Sequence, residues 1–118
     1  MRARHLQLGH DGESVVADHY RRLGFEVLER NWRTGRGEID LIVRRDALVV
    51  FCEVKTRSST RHGGGAEAVG TEKQRRIRAA AVAWLALWEG HAADLRFDVA
   101  AVDADHRGFR VDLIESAF

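Results

Sequence analysis

The 118-residue sequence contains no proline, a single cysteine and no long apolar run. One cysteine, Cys52, cannot form an internal disulfide or build a zinc site that needs several thiolates. The longest apolar segment, residues 79–88, falls well short of the roughly 20 residues that a membrane-spanning helix needs. Residues 1–12 carry no apolar stretch of the kind found in secretory signals. We therefore expect a cytoplasmic protein without a membrane segment, with residues 1–118 forming one domain because no linker or repeat divides them.

Charge is nearly balanced overall but unevenly distributed along the chain. The sequence has 19 basic and 18 acidic residues, a net charge of +1. Residues 1–88 nevertheless carry 16 basic and 11 acidic side chains, whereas residues 89–118 carry 3 basic and 7 acidic ones. The overall balance argues against a polycationic tail of the histone type. The basic excess before residue 89 is compatible either with a face that meets an anion or with a solvated arginine-rich surface.

The hydrophobic pattern alternates between helical and strand-like segments. Val16 and Tyr20 recur at helical spacing, and Gly24 is placed where a helix C-cap belongs. A second amphipathic helix is predicted over residues 71–88, with Thr71 as its N-cap. Strands are predicted over residues 25–30, 38–44, 48–55, 95–102 and 109–114. This αβββαββ order predicts an α/β sandwich in which helices flank a central mixed sheet, and its first three strands should form an antiparallel meander.

Two of the predicted central strands carry charged residues where a buried strand should have none. Residues two apart in a strand share a face, so Glu38 lies with Asp40 and Glu53 lies with Lys55. A hairpin with a two-residue turn at residues 46–47, or with a four-residue loop, would place Asp40 directly opposite Glu53. All four charged side chains would then lie on one face of the sheet. An odd loop length would separate them, so the register tests this prediction.

A pair of carboxylates in this position would bind a cation. Carboxylates about 5 Å apart on a half-buried surface repel each other and resist desolvation. A divalent cation supplies the missing positive charge, and oxygen ligands without cysteine or histidine favour Mg²⁺ or Mn²⁺. The alternative is a surface salt bridge in which Lys55 pairs with Asp40 or Glu53.

Both predicted helices add candidate residues. Glu13 falls in the first turn of the stripe that should face the sheet, where it could join the carboxylates or simply favour the helix dipole. In the second helix Lys73 and Gln74 flank the buried stripe, while Arg75 and Arg76 point away from it. This basic cluster occupies the helix end that favours anions, so it either awaits a phosphate or forms a solvated basic face.

The spacing of these residues resembles a nuclease signature. Asp40, followed after twelve residues by Glu53-Val54-Lys55, resembles the PD-(D/E)XK motif of restriction-endonuclease-like nucleases. Further segments in the same order are similar to the YraN family of small bacterial proteins, and they comprise residues 12–13, 30–33, 37–42, 53–57, 68–69, 73–76 and 96–99. The resemblance implies a restriction-endonuclease-like fold. Ile39 replaces the proline of the signature, and three consecutive glycines at residues 63–65 make the loop unusually glycine-rich.

The resemblance also implies roles for individual residues. Asp40 and Glu53 would ligate the metal, the carbonyl of Val54 would add a ligand, and Glu13 would complete the site. Lys55 would orient or deprotonate the attacking water and stabilise the developing charge. Glu38, on the face predicted above, is a further candidate ligand.

The remaining roles implied by the resemblance concern nucleic acid. Gln74 and Lys73 would support the site and contact the phosphate backbone, and the candidate nucleic-acid contacts also include Arg33, Arg57, Arg75 and Arg76. The function expected is Mg²⁺- or Mn²⁺-dependent cleavage of DNA, in particular branched or structured DNA. Because relatives that resolve junctions act as symmetric dimers, a homodimer is a candidate assembly, although the sequence reveals no dimer surface. The alternatives are a non-catalytic nucleic-acid-binding module and a homodimeric interaction protein that keep the nuclease fold.

Overall fold

A computed structural model of the protein describes the backbone of residues 2–57 and 69–118 and the side chains of residues 11–57 and 69–118. The glycines at residues 63–65 lie outside the described residues. The described helices and strands are α1 (Arg2–Arg22), β1 (Glu26–Thr34), β2 (Gly37–Arg45), β3 (Leu48–Arg57), α2 (Thr71–Leu87), β4 (Asp94–Asp105) and β5 (Gly108–Ile114). The predicted αβββαββ order is confirmed.

The five strands form one mixed sheet in the order β1-β2-β3-β4-β5. β1, β2 and β3 pair antiparallel as a meander, β3 and β4 pair parallel, and β5 returns antiparallel to β4. A parallel pair needs a crossover connection, and α2 lies in the segment that joins β3 to β4. The result is a restriction-endonuclease-like arrangement of a central sheet and two helices. Neither described helix has an apolar stretch long enough to cross a membrane.

The two helices pack against two separate hydrophobic clusters. Val16 and Tyr20 of α1 belong to one cluster, together with Val43 of β2. Ile77 and Trp84 of α2 belong to the other. β2 and β3 contribute to both clusters, which explains why their sequences are almost continuously apolar.

Both helices differ from the prediction at their N-terminal ends, and α2 ends at Leu87 rather than at residue 88. α1 begins at Arg2, so Glu13 lies in the middle of the helix and the helix-dipole explanation for it is wrong. Its predicted end is confirmed: Gly24 has a φ of 94° and its N–H donates to the carbonyl of Arg21. In α2 the N-cap is Gly70 rather than Thr71, and within the described part of the chain no side chain caps the helix.

The β2–β3 hairpin has the predicted register. Arg45 pairs with Leu48 across a two-residue turn, and the ladder continues to the pair Leu41 and Cys52. Asp46 in the turn has a φ of 54°, a left-handed conformation that aspartate tolerates better than most residues. Asp40 and Glu53 are the next residues beyond this last pair.

Candidate active site

Asp40 and Glu53 lie at the end of the β2–β3 ladder, where the two strands stop pairing. Both carboxylates are buried, with 9% and 7% of their surface exposed. Oδ2 of Asp40 accepts a 2.8 Å hydrogen bond from the backbone N–H of Val54. The side chain of Asp40 therefore takes over a strand hydrogen bond at the point where the backbone ladder ends.

The prediction that all four charged residues share one face needs correction at Asp40. Ile39 packs in the cluster on the α2 side, whereas Leu41 packs in the cluster on the α1 side. Residues two apart in a regular strand would share a face, so the alternation of β2 is interrupted between them. Glu53 contacts α2 through Lys73. The interruption leaves Asp40 at the boundary of the two clusters, where carboxylates from either side of the sheet can influence it.

The electrostatic environment of Asp40 is unfavourable for a negative charge. Burial, and next the charge of Glu53, raise the pKa of Asp40 from 3.8 to about 7. The hydrogen bond from Val54 opposes this increase, whereas Glu13 and Glu38 add to it. One buried carboxylate thus interacts with three others, one of which comes from α1. A bound cation would remove this conflict.

Glu13 is held near this cluster by β1. Its side chain is 16% exposed, and its Oε1 accepts a 2.9 Å hydrogen bond from Nδ2 of Asn31. Nη2 of Arg30 lies 4.0 Å from the same oxygen. Asn31 has a φ of 52°, which is unusual within a strand but accessible to asparagine. Sequence reasoning assigned no role to Asn31, and an asparagine inside a predicted strand is the signal that could have drawn attention to it.

Gly12 lets α1 approach the end of β3. A Cβ atom at this position would clash with Oγ1 of Thr56 and would lie 3.1 Å from its Cβ and Cγ2. The helix backbone therefore runs directly over the Thr56 side chain. Since Glu13 follows Gly12, this close approach sets the depth at which the Glu13 carboxylate meets the sheet.

Lys73 of α2 forms an ion pair with Glu53. Its Nζ lies 2.5 Å from Oε2 of Glu53, with the lysine side chain 45% exposed and the glutamate side chain 8% exposed. Gln74 instead donates from Nε2 to the carbonyl of Val69, at 2.8 Å, and so holds the segment that enters α2. Lys55 is partly buried and has no ion-pair partner within residues 11–57 and 69–118. The basic residue that pairs with Glu53 is therefore Lys73, and not Lys55.

The carboxylates of Asp40 and Glu53 supply only some of the ligands that a Mg²⁺ ion needs. Among the residues with described side chains, no three of His, Cys, Asp and Glu are close enough together to hold a metal. Mg²⁺, however, commonly takes one or two carboxylates and completes its coordination with water. Asp40 and Glu53 supply two buried oxygen ligands whose mutual repulsion a cation would relieve. The residues present thus fit a hydrated Mg²⁺ or Mn²⁺, provided that the ammonium group of Lys73 leaves Glu53.

A basic cleft of about 450 Å³ lies between the β1–β2 turn and α2. Its lining includes Arg33, Arg36, Glu38, Lys73 and Arg76. Arg76, which was predicted to point away from the buried stripe of α2, is exposed and lines this cleft together with Lys73. Arg36 and the turn were missed, since no periodicity extends into a turn.

Gly37 brings the turn against α2. A Cβ atom at Gly37 would lie 2.8 Å from the carbonyl oxygen of Arg76, closer than ordinary van der Waals contact. Arg33 pairs with Glu38 across the start of the hairpin, with Nε 3.1 Å from Oε1. At Gly37 the backbone of the hairpin thus lies against the backbone of α2.

The other predicted nucleic-acid contacts lie outside the cleft. Arg75 is exposed on α2 and pairs with Glu72 at 3.1 Å. Arg57 lies 3.3 Å from Asp103, its neighbour on β4 in the parallel register. The structure thus brings Arg33, Lys73 and Arg76 together and leaves Arg57 and Arg75 in separate ion pairs.

Comparisons with known proteins identify the relatives of this chain. The model of the uncharacterised protein family UPF0102 matches residues 12–102. A UPF0102 protein of Frankia casuarinae is 48% identical over 112 residues, which cover 94% of this chain and 95% of the relative. A UPF0102 protein of Anaeromyxobacter sp. is 44% identical over 110 residues, covering 93% and 83% of the two chains. A third, from Mycolicibacterium smegmatis, is 50% identical over 98 residues, covering 81% and 79%. The matched region contains β1 to β3, α2 and every candidate site residue, and the chain belongs to the UPF0102 family, as its YraN-like motifs predicted.

Proposed function

We propose that the protein is a metal-dependent endonuclease that hydrolyses phosphodiester bonds in DNA, with branched or structured DNA as its substrate. The observation that carries this proposal is the pair of buried carboxylates at the end of the β2–β3 ladder. Asp40 and Glu53 lie just beyond the last pair of the ladder, Leu41 with Cys52, and burial and neighbouring carboxylates raise the pKa of Asp40 to about 7. Such an arrangement destabilises the protein unless a cation binds there.

The roles of the residues follow from their positions. Asp40 and Glu53 would hold Mg²⁺ or Mn²⁺, with the Val54 carbonyl as a candidate ligand and Glu13 and Glu38 adding negative charge nearby. When bound, the metal would polarise the phosphate and lower the pKa of a bound water. Lys55, two residues after Glu53 and without an ion-pair partner in the described part of the chain, would orient the attacking water.

The basic cleft would bind the DNA backbone beside these carboxylates. Arg33, Lys73 and Arg76 line it, and cations that contact phosphates supply most of the sequence-independent affinity of such proteins. Gln74 would act indirectly, by fixing the start of α2. Arg57 and Arg75 would contribute longer-range attraction.

The proposal is tested by cleavage of a labelled four-way junction and of linear duplex DNA in Mg²⁺ or Mn²⁺. Asp40→Asn, Glu53→Gln and Lys55→Met are each expected to reduce cleavage by at least about 100-fold, on the scale of losing a metal ligand or a charge-stabilising group. Arg22→Met removes an exposed cation from the end of α1 and should cleave like the wild type. Cleavage that survives all three substitutions would disprove the proposed site.

A non-catalytic DNA-binding module is the second candidate function. The ion pair between Lys73 and Glu53 favours it, because this pair neutralises Glu53 with a side chain of the protein itself. In that case DNA would bind with a steep salt dependence but would not be cleaved, and Asp40→Asn would leave binding unchanged.

A homodimer would match the two-fold symmetry of a four-way junction. Sedimentation of the protein alone and with the junction would show whether two copies assemble. Sedimentation as a monomer in both conditions would contradict this.

A further inference from the structure

We propose that the cleft between the β1–β2 turn and α2 is a binding subsite for a DNA phosphate, and that Lys73 moves between this phosphate and Glu53. The inference rests on the proposed function, and it adds a residue, Arg36, and a coupling between DNA and metal binding. Its basis is that Lys73 lines the cleft and pairs with a buried carboxylate at the same time.

The cleft has the charge that a phosphodiester requires. Arg33, Arg36, Lys73 and Arg76 line it, with Glu38 as an acidic neighbour. Arg33 is already paired with Glu38. Neither Arg36 nor Arg76 has an ion-pair partner among the residues whose side chains are described. Two arginines are therefore available to bind a phosphate, and arginine is well suited to contact its oxygens with two parallel hydrogen bonds.

Lys73 connects this subsite to the carboxylates. Its side chain is 45% exposed, whereas that of Glu53 is 8% exposed. The lysine therefore approaches the carboxylate from the solvent side and can rotate away without disturbing the core. A lysine ammonium is a compact charge on a flexible stem, so it can pair with either anion. In the structure it occupies the position where a cation would relieve the repulsion between Glu53 and Asp40.

The exchange makes DNA and metal binding mutually supportive. A phosphate in the cleft would attract Lys73 and expose Glu53 to a metal ion. A metal ion at Glu53 would release Lys73 to the phosphate. Coupling of this kind is reciprocal, so each ligand increases the affinity for the other. Without DNA, Lys73 would keep the metal affinity low.

The test measures each ligand alone. Mn²⁺ binding is followed by the loss of the free-ion electron paramagnetic resonance signal, and binding of a fluorescein-labelled DNA duplex is followed by anisotropy in EDTA. Lys73→Met should bind Mn²⁺ roughly five- to tenfold more tightly, because it removes the competing ammonium. The same variant should bind DNA at least about threefold more weakly, because it loses a phosphate contact.

Two arginines provide matched controls for charge. Arg76→Met and Arg36→Met remove the same charge from the same cleft without touching Glu53. Each should weaken DNA binding like Lys73→Met while changing Mn²⁺ affinity less than about twofold, since their charges are more distant and screened. Arg22→Met, at the other end of the molecule, should change neither.

The outcomes separate this inference from the proposed function. The exchange is supported if Lys73→Met binds DNA more weakly and Mn²⁺ more tightly. The two arginine variants should show only the weaker DNA binding. The exchange would be overturned if Lys73→Met left the affinity for Mn²⁺ unchanged, or if Arg76→Met increased that affinity equally. Either result would count against it even if the enzyme cleaves DNA. Failure of the wild type to cleave any DNA would overturn the proposed function, and the exchange would then stand or fall on the two binding measurements.

Discussion

The hydroxyl of Tyr20 in α1 donates a 2.7 Å hydrogen bond to the carboxylate of Asp98 in β4, which is completely buried. Arg96 donates two further hydrogen bonds of 2.9 Å to the same carboxylate, and the N–H of Ser116 donates one of 3.0 Å. Burial raises the pKa of Tyr20, so the hydroxyl keeps its proton. The network ties α1 and the residues after β5 to the centre of the sheet.

The first prediction concerns the stability that this network provides. Asp98→Ala should lower the free energy of unfolding by about 3–5 kcal/mol, because it leaves Arg96 and Tyr20 without their buried partner. Tyr20→Phe should cost about 1–2 kcal/mol, since Asp98 keeps its other donors. Urea denaturation measures both, and equal losses would contradict the central role of Asp98.

The second prediction is that Asp40 makes the metal-free protein less stable as the pH rises. The pKa of Asp40 is raised to about 7 in the folded protein, against about 3.9 in an unfolded chain. Between these values the unfolded chain loses the proton that the folded protein retains. The contribution of Asp40 to stability is therefore complete below pH 4 and is lost as the pH approaches 7.

Asp40→Asn removes this loss. In EDTA at pH 8 the variant should be about 1–3 kcal/mol more stable than the wild type, and the difference should shrink towards pH 4. Urea denaturation at both pH values gives the comparison. Adding Mg²⁺ should stabilise the wild type but not the variant. A difference independent of pH would show that ionisation of Asp40 is not its cause.

The third prediction concerns the contact between α1 and β3 at Gly12. Gly12→Ala should raise the free energy of unfolding by about 1 kcal/mol, because alanine favours a helix more than glycine does. The clash with Thr56 should lower it by about 1–3 kcal/mol. A net destabilisation in urea is expected, with weaker Mn²⁺ binding because Glu13 shifts outwards. Adding Thr56→Ala should recover part of the loss. A stabilised Gly12→Ala protein would show that the helix is not in close contact there.

The fourth prediction concerns the contact between the β1–β2 turn and α2. Gly37→Ala places a methyl group against the carbonyl of Arg76, and backbone on both sides cannot easily give way. It should destabilise the protein by about 1–3 kcal/mol and weaken DNA binding, because the turn moves away from the cleft. Gly35→Ala is the matched control, since among the described residues, apart from its two chain neighbours, none has an atom within 4 Å of its added Cβ. Equal effects of the two substitutions would contradict this contact.

The sequence predicted the part of the site that depends on local pattern. The apolar runs of β2 and β3, joined by a two-residue turn at Asp46, determine which residues face each other, so the register that ends at Leu41 and Cys52, next to Asp40 and Glu53, followed from counting. The interruption at Asp40 could not be predicted this way, because the side chain replaces a ladder hydrogen bond. The early start of α1 was also missed, since residues 2–10 have no clear apolar stripe.

The sequence pattern did not predict contacts between helices and strands that are distant in the chain. Pairing of Lys73 with Glu53 depends on how α2 lies across the sheet, which no periodicity specifies. Arg36 in a turn and Asn31 in a left-handed conformation likewise gain their roles from tertiary packing.

The location of Cys52 makes it a natural reporter of how often the sheet opens. Cys52 is 1% exposed in the α1-side cluster, next to Glu53 in the sequence, and burial raises the pKa of its thiol. Alkylation needs the exposed thiolate, so the native chain should react with iodoacetamide only during transient opening. As the sequence has no other cysteine, the rate of alkylation measures the free energy of opening at the very strand that carries the candidate site, without any introduced label.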